Sequence, residues 1–379
     1  YWLKNIIALA LITGLLVSPA LWFGERFFPH IPIFTDKLTI PVTAEIIIAL
    51  GLIVSLFLTI FCSKPRKFII ISITLALLLA IFDQMRWQPW FFQYIIMLVF
   101  LGSYDWDFKN TLAQKLIMNA SRFLIISIYF FSGLQKLNNQ FLNEVLPWLI
   151  QPLTKSLPQI STFDNYHPSL LIPILEIAIS IGLLSKKFRK VSVIIAISMH
   201  ISILILLSPL GHNWNTVVWP WNIAMILITY ILFYNKDFDI FSFISSKSRA
   251  GIKILCGLLI ILPSLNFLNL WDSYLSWSLY SGNNSAATLY ISQTMRENLP
   301  SHIQPYIHKS EGESYSVNIF NWAFQELNVP PYPEPRIYKR LAKQLCSYST
   351  NEDDLRIVIQ HKDTVFKKGR LSEYNCNTL

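Results

Sequence analysis

Apolar residues fall in long runs broken by short polar knots, and the runs rather than any two-residue alternation dominate the first three quarters of the chain. Nine runs can be drawn as helices of about 15–22 residues, the length that crosses a hydrocarbon core. They cover approximately 5–23, 41–62, 68–84, 88–102, 117–135, 168–185, 191–209, 216–234 and 251–270. The first lacks a small-residue cleavage site and reads as a retained helix. The third and fourth are separated only by DQMRWQPW (83–90), so they read as two tilted spans or as a helix pair with a re-entrant corner. From about Asn283 the pattern changes. Leu355–His361 alternates like a strand, and Ile337–Ser347, just after Pro335, reads as a helix. The expected fold class is an all-α polytopic membrane protein of about nine transmembrane helices (1–282) with a small C-terminal extramembrane α+β domain (283–379).

Composition agrees: 53% of residues are hydrophobic and 14% charged, outside the range of ordinary soluble domains. The net charge of +9 does not point to nucleic acid, because the basic residues sit in short connectors. SKPRK (63–67), SKKFRK (185–190) and Lys236–Arg249 are the second, sixth and eighth connectors of a nine-span chain and therefore share one side. The fourth connector (103–116) is neutral. The positive-inside rule makes that side cytoplasmic in a cell (inner, cytoplasmic) membrane, with the N-terminus. It leaves DQMRWQPW, Lys136, SPLGHNWN (208–215) and the C-terminal domain outside. Isoleucine- and lysine-rich usage gives a bacterial, AT-rich impression. Four cysteines form no C-x-x-C. Cys346 and Cys376 can pair if the C-terminal domain faces an oxidising compartment and stay free otherwise.

Ionisable groups inside apolar runs are the candidates for chemistry, since each needs a partner or a wet cavity. Asp83, Arg86, Lys136, His212 and Asn213 fall near outer helix ends; Arg122, Glu176 and His200 lie deeper. The bland readings are an Asp83–Arg86 interfacial ion pair, an Arg122–Glu176 structural pair, a hydrogen-bonded buried His200 and a Lys136 that reaches for headgroups. Trp87, Trp90, Trp148, Trp214, Trp219 and Trp221 cluster at the outer boundary, as an aromatic belt or as walls of a pocket for a ring-bearing or lipidic ligand.

The order Asp83-x-x-x-Trp87, Trp106, Arg122, Tyr129–Asn138 (YFFSGLQKLN), Glu176, His200 and Pro220-Trp221 resembles the membrane domain of vitamin K-dependent gamma-glutamyl carboxylases, within the wider horizontally transferred transmembrane (HTTM) family. The likeness covers roughly 5–240 and is most specific in YFFSGLQKLN. It implies that Lys136 is a base acting on vitamin K hydroquinone, in a carboxylase-like (lyase) reaction on a peptide or protein substrate at the outer face. Here Gln135 replaces the first lysine of the family motif, and Trp90 stands where the family has a catalytic histidine. Tryptophan cannot supply acid–base chemistry, which argues against vitamin K-dependent carboxylation itself and leaves a quinone, lipid or peptide as the expected substrate. Two other readings stay open: a non-catalytic scaffold that binds membrane lipid or a partner, and a DoxX-like redox-associated protein, because G-x-x-K-L after an apolar helix also occurs there.

Overall fold

A computed structural model describes residues 1–35, 39–106, 111–156, 170–240, 250–310 and 314–379. Each of the nine apolar runs carries a helix: α1 Trp2–Val17, α3 Val42–Phe61, α4 Arg66–Phe82, α5 Pro89–Gly102, α6 Thr111–Gln135, α8 Leu171–Leu184, α9 Arg189–Leu207, α10 Val218–Phe233 and α11 Ala250–Asn266. A short α2 (Pro19–Trp22) follows α1, and α7 (Leu146–Ser156) follows a π-helical turn at Phe141–Val145.

The expectation of about nine spans is corrected by helix length. Among the described residues, three helices are long and apolar enough to cross a membrane: α3, α6 and α9, of 20, 25 and 19 residues. The other six apolar runs fold as helices of 14 to 17 residues. At 1.5 Å per residue these reach about 21–26 Å, short of a hydrocarbon core of about 30 Å. The runs at 5–23, 168–185, 216–234 and 251–270 are longer than their helices because apolar character continues past the helix ends, whereas 68–84 and 88–102 are short in the sequence already. The helices nevertheless present an apolar exterior. Ile47, Leu50, Val54 and Phe61 of α3, Val191, Ile194 and Ile205 of α9 and Ile254 and Ile261 of α11 are all exposed. A surface of this kind suits hydrocarbon and not water.

The connectors segregate to two ends. At one end Lys4 Nζ reaches the last carbonyls of α3, Thr59 and Ile60, both at 2.5 Å. Arg66 bonds the Gly102 carbonyl at the end of α5. Beyond the following connector, the first half of α6 meets the far end of α10 through Asn119 to Asp239 O and Arg122 to Leu232 O. Arg189 and Lys186 of SKKFRK contact Lys236 and Asp237 there. SKPRK, SKKFRK and the start of the Lys236–Arg249 connector therefore share one end; 241–249 lie outside the described residues.

The C-terminal domain covers the opposite end. Its sheet, in the order β2-β3-β1-β4-β5, is antiparallel throughout: β1 Ala286–Ile291, β2 Ile307–Lys309, β3 Tyr315–Val317, β4 Leu355–Gln360 and β5 Leu371–Asn375. Leu289 lies between Val317 and Ile357, all buried, which sets the register by putting one apolar row inward. Helices α12 (Gln293–Asn298), α13 (Ile319–Leu327) and α14 (Pro335–Leu345) complete it. Pro335 starts α14 at a position where its missing N–H costs nothing, and Ile337, Tyr338, Leu341, Ala342 and Leu345 give it one buried face. Cys346 and Cys376 form a disulfide that ties the end of α14 to the residue after β5.

The two parts interlock through polar contacts. Glu326 accepts from the Phe27 and Phe28 amides, Asn328 Nδ2 donates to Val17 O and Thr216 Oγ1, and Arg336 donates to Gln84 Oε1. Burial raises the Glu334 carboxyl and lowers the Lys362 ammonium within this junction, where both reach Ser273.

Candidate functional site

YFFSGLQKLN ends α6, and its residues divide by helix face. Tyr129, Ser132 and Lys136 stand at i, i+3 and i+7, so one face carries all three. Gly133 sits against α8: a Cβ there would lie 2.7 Å from Pro173 O and 2.8 Å from Ile177 Cγ1. This glycine lets the two helices approach closely enough for Glu176 to reach Lys136. The ammonium bonds both carboxylate oxygens, at 2.9 and 2.8 Å, and the Ser132 hydroxyl at 2.6 Å. Lys136 and Glu176 are 8% and 4% exposed, so the pair is an internal one.

The pair forms part of the wall of a cavity of about 180 Å³ among α6, α7, α8, α9, α10 and the segment after α11. Most of the wall is apolar, including Ile128, Leu175, Ile203, Leu207, Met225 and Leu279. An engineered apolar cavity of about 150 Å³ holds benzene, so this one has room for a ring or a short chain. A second polar group lines it. His200 Nδ1 lies 2.7 Å from Asn222 Oδ1, and Nε2 lies 2.9 Å from the Tyr129 hydroxyl. Because Asn222 Nδ2 donates to the Val218 carbonyl, its Oδ1 must accept, which assigns the proton of a neutral His200 to Nδ1. Nε2 then accepts from Tyr129, whose oxygen can accept in turn from Thr229. Trp221 and Trp277 add aromatic wall; the Trp221 indole donates to Gln93 Oε1.

The remaining sequence candidates lie elsewhere. Asp83 and Arg86 do not pair with each other. Asp83 binds Arg26 at 2.6 Å and caps the turn at Met85, while Arg86 pairs with Glu45 and donates to Leu21 O and Leu79 O. Extended backbone at Asp83 and a 3₁₀ turn over Gln84–Arg86 send the two side chains to different partners. Neither lines the Lys136 cavity. Arg122 likewise does not pair with Glu176: it bonds Leu232 O and Asn119 Oδ1 and lies 3.9 Å from the Phe238 ring centre. It belongs to the end with the basic connectors, about two turns from Tyr129 and about four from Lys136.

Trp87 donates to Ala80 O, and Trp90 packs against Trp22 and closely over Gly14. Trp90 thus fills the α1–α2–α5 core and is not a pocket residue. His212 bonds the Trp148 carbonyl and stacks on that ring at 4.4 Å. Asn213 takes a left-handed turn conformation, and Trp219 bonds Trp214 O. None of these three lines the Lys136 cavity.

Sequence reasoning did not single out Tyr129, Ser132, Asn222, Trp277 or Tyr280. The i, i+3, i+7 spacing within YFFSGLQKLN would have found the first two; nothing local marks the others. Beyond the cavity, an outer cleft of about 400 Å³ is walled by Trp148, Trp214, Tyr280, Phe320, Tyr338 and the prolines of NVPPYPEPR. A groove of about 710 Å³ over the sheet, lined by Tyr290, Arg356, Glu373 and Tyr374, is open to solvent. Among the described residues no group of three His, Cys, Asp or Glu side chains could hold a metal. The chain matches no protein-family model, no curated protein and no solved structure.

Proposed function

We propose that the chain is a multi-pass membrane protein of HTTM type whose Lys136 cavity takes the polar end of a mainly apolar small molecule, a quinone or another lipidic ring compound. The N-terminus and the basic connectors are cytoplasmic in this reading, and the disulfide-bonded C-terminal domain is extracytoplasmic. The observation that carries it is the Lys136–Glu176 pair on a mostly apolar wall. Two charges inside a helix bundle are costly to desolvate, and apolar side chains would fill the same space at no such cost. The resemblance carried by YFFSGLQKLN supports the same residue.

In this reading base chemistry runs in two steps. A proton passes from Lys136 Nζ to Glu176, 2.8 Å away, leaving an amine beside the cavity. A ligand O–H then gives its proton to that amine. The ligand becomes an oxyanion facing an ammonium, and Glu176 holds the balancing proton. His200, locked between Asn222 and Tyr129, orients the wall and is not the base.

The test is quenching of the cavity tryptophans, Trp221 and Trp277, by decylubiquinone titrated into the protein in lipid nanodiscs. Saturable quenching that Lys136→Met removes supports the reading; quenching that never saturates, or that Lys136→Met leaves unchanged, overturns it. A second reading is a structural pair that ties α6 to α8. It is favoured by the full set of acceptors around the Lys136 ammonium. Under that reading the double variant Lys136→Met/Glu176→Leu keeps whatever phenotype the intact gene confers.

A further inference from the structure

We infer that residues 277–282 are a gate between the Lys136 cavity and the outer cleft, with the Tyr280 ring as its leaf, so that the cavity loads from the outer cleft. The inference rests on the cavity being the ligand site proposed above, and extends it to the path by which a ligand arrives. Leu279 and Tyr280 line both voids, the inner one of about 180 Å³ and the outer one of about 400 Å³. A single layer of side chains therefore separates a small apolar chamber from an aromatic and proline-walled vestibule.

The segment is built to hold one position while remaining able to leave it. Trp277, Tyr280 and Gly282 all have left-handed backbone, at φ 65°, 54° and 73°. For the two aromatic residues this is an uncommon conformation that surrounding contacts must maintain. Those contacts come from YFFSGLQKLN itself. Asn138 Nδ2 donates to the Ser281 carbonyl at 2.8 Å, and Asn283 Nδ2 donates to Gln135 Oε1 at 2.6 Å. Gly282 passes so close to α7's leading turn that a Cβ would lie 2.7 Å from the Phe141 nitrogen. On the other side Ser278 Oγ donates to Asn284 Oδ1 at 2.8 Å and the Ser278 carbonyl accepts from Asn284 Nδ2 at 3.1 Å, so the segment is pinned at Ser278 and at Ser281–Asn283, with Leu279 and Tyr280 between.

Tyr280 is held by one bond, from Asn215 Nδ2 to its hydroxyl at 2.6 Å, and by the Trp148 ring at 6.1 Å. Asn215 is buried, its own backbone is left-handed, and its Oδ1 has no hydrogen-bond partner among the described residues. Opening gives up one neutral hydrogen bond, about 1 kcal/mol, so the ring can swing into the outer cleft between the two pinned sides. The motif then has two jobs: Lys136 faces the cavity, and Gln135 and Asn138 fix the frame of its gate.

The experiment is the rate at which a cavity cysteine reacts with a cationic, membrane-impermeant methanethiosulfonate. Val218→Cys places the thiol on the cavity wall with little change in volume. Cys62 and Cys256 are replaced by serine and alanine, and the Cys346–Cys376 disulfide does not react. In nanodiscs, labelling is slow with Tyr280 in place. It rises about tenfold or more in Tyr280→Ala, and about fivefold in Asn215→Ala, the factor expected from one neutral hydrogen bond. Asn215→Ala keeps the ring and so serves if Tyr280→Ala fails to fold. Equal rates in all three proteins overturn the gate. Faster labelling in the variants without saturable quinone quenching sustains the gate and removes the ligand reading. Saturable quenching with unchanged labelling removes the gate and leaves the ligand reading standing.

Discussion

Replacing Glu176 with leucine isolates the energetic consequence of placing an ion pair beside an apolar cavity. In the variant the Lys136 ammonium keeps the Ser132 hydroxyl at 2.6 Å and loses both carboxylate contacts, at 2.9 and 2.8 Å. The site is 8% exposed at the lysine and has Ile128, Leu175 and Ile203 on its wall, so water cannot readily take the carboxylate's place. Breaking one side of a buried pair costs about 3–5 kcal/mol, most of it the desolvated charge left behind. Removing both charges together costs far less, because apolar replacements of similar volume are often neutral or stabilising. Glu176→Leu is therefore expected to lose about 3–5 kcal/mol, and Lys136→Met/Glu176→Leu to stay within about 1 kcal/mol of the parent. The assay is equilibrium unfolding in mixed micelles followed by tryptophan fluorescence, with the two single variants and the double variant forming a closed cycle. Single variants that lose less than about 0.5 kcal/mol would refute the reasoning, since only a pair already open to water behaves like an ordinary surface site.

Three further outcomes follow from particular contacts. Gly133→Ala puts a methyl 2.7 Å from the Pro173 carbonyl, pushing α8 from α6, with a loss of about 1–3 kcal/mol in the same unfolding assay. Asp354 accepts from the Ser292 hydroxyl and from the Thr350 and Asn351 amides, which hold its carboxyl down to about 2. Because the folded value is depressed, its contribution is fully present above the ordinary carboxylate range near pH 4 and is lost as pH falls through about 2. Protection factors around Ser292 and Thr350, referred to the intrinsic exchange rate at each pH, should therefore fall between pH 4 and pH 2, and Asp354→Asn should flatten that fall. Reducing Cys346–Cys376, which closes a loop of sequence separation 30, should cost the C-terminal domain about 3–4 kcal/mol, read as faster proteolysis of β5. Once reduced, both thiols should react with impermeant reagent added from the extracytoplasmic side; labelling only from the cytoplasmic side would reverse the proposed topology.

Hydropathy located the helices because burial in protein and burial in lipid demand the same residues. The same fact hid the pairings. Ile194 faces outward and Ala196 inward on one helix, yet both are simply apolar in the sequence. With no polar face to mark an outside, the inward direction of α8 and α9 could not be read, and Glu176 could be matched with Arg122 as readily as with Lys136. Close packing made the choice through Gly133, and a glycine inside an apolar helix carries no partner information by itself. Asp83 and Arg86 failed for a different reason. A three-residue spacing implies contact only on a continuous α-helix, and the chain breaks into an extended residue and a 3₁₀ turn at that point. In the C-terminal domain, alternation at Leu355–Gln360 and the Pro335 start of α14 were legible, since one face of each meets water. Tyr280 and Trp277 were not, because a gate made from an irregular segment has no periodicity to betray it.

If Lys136 and Glu176 serve to meet a bound molecule, that molecule should travel with the protein. Native mass spectrometry of the protein purified in lipid nanodiscs, compared with Lys136→Met/Glu176→Leu at matched folding, tests it most directly. A small apolar-bodied molecule is expected to stay with the parent at about one per chain and to be absent from the double variant. The same molecule held by both proteins, or none held by the parent, would contradict it.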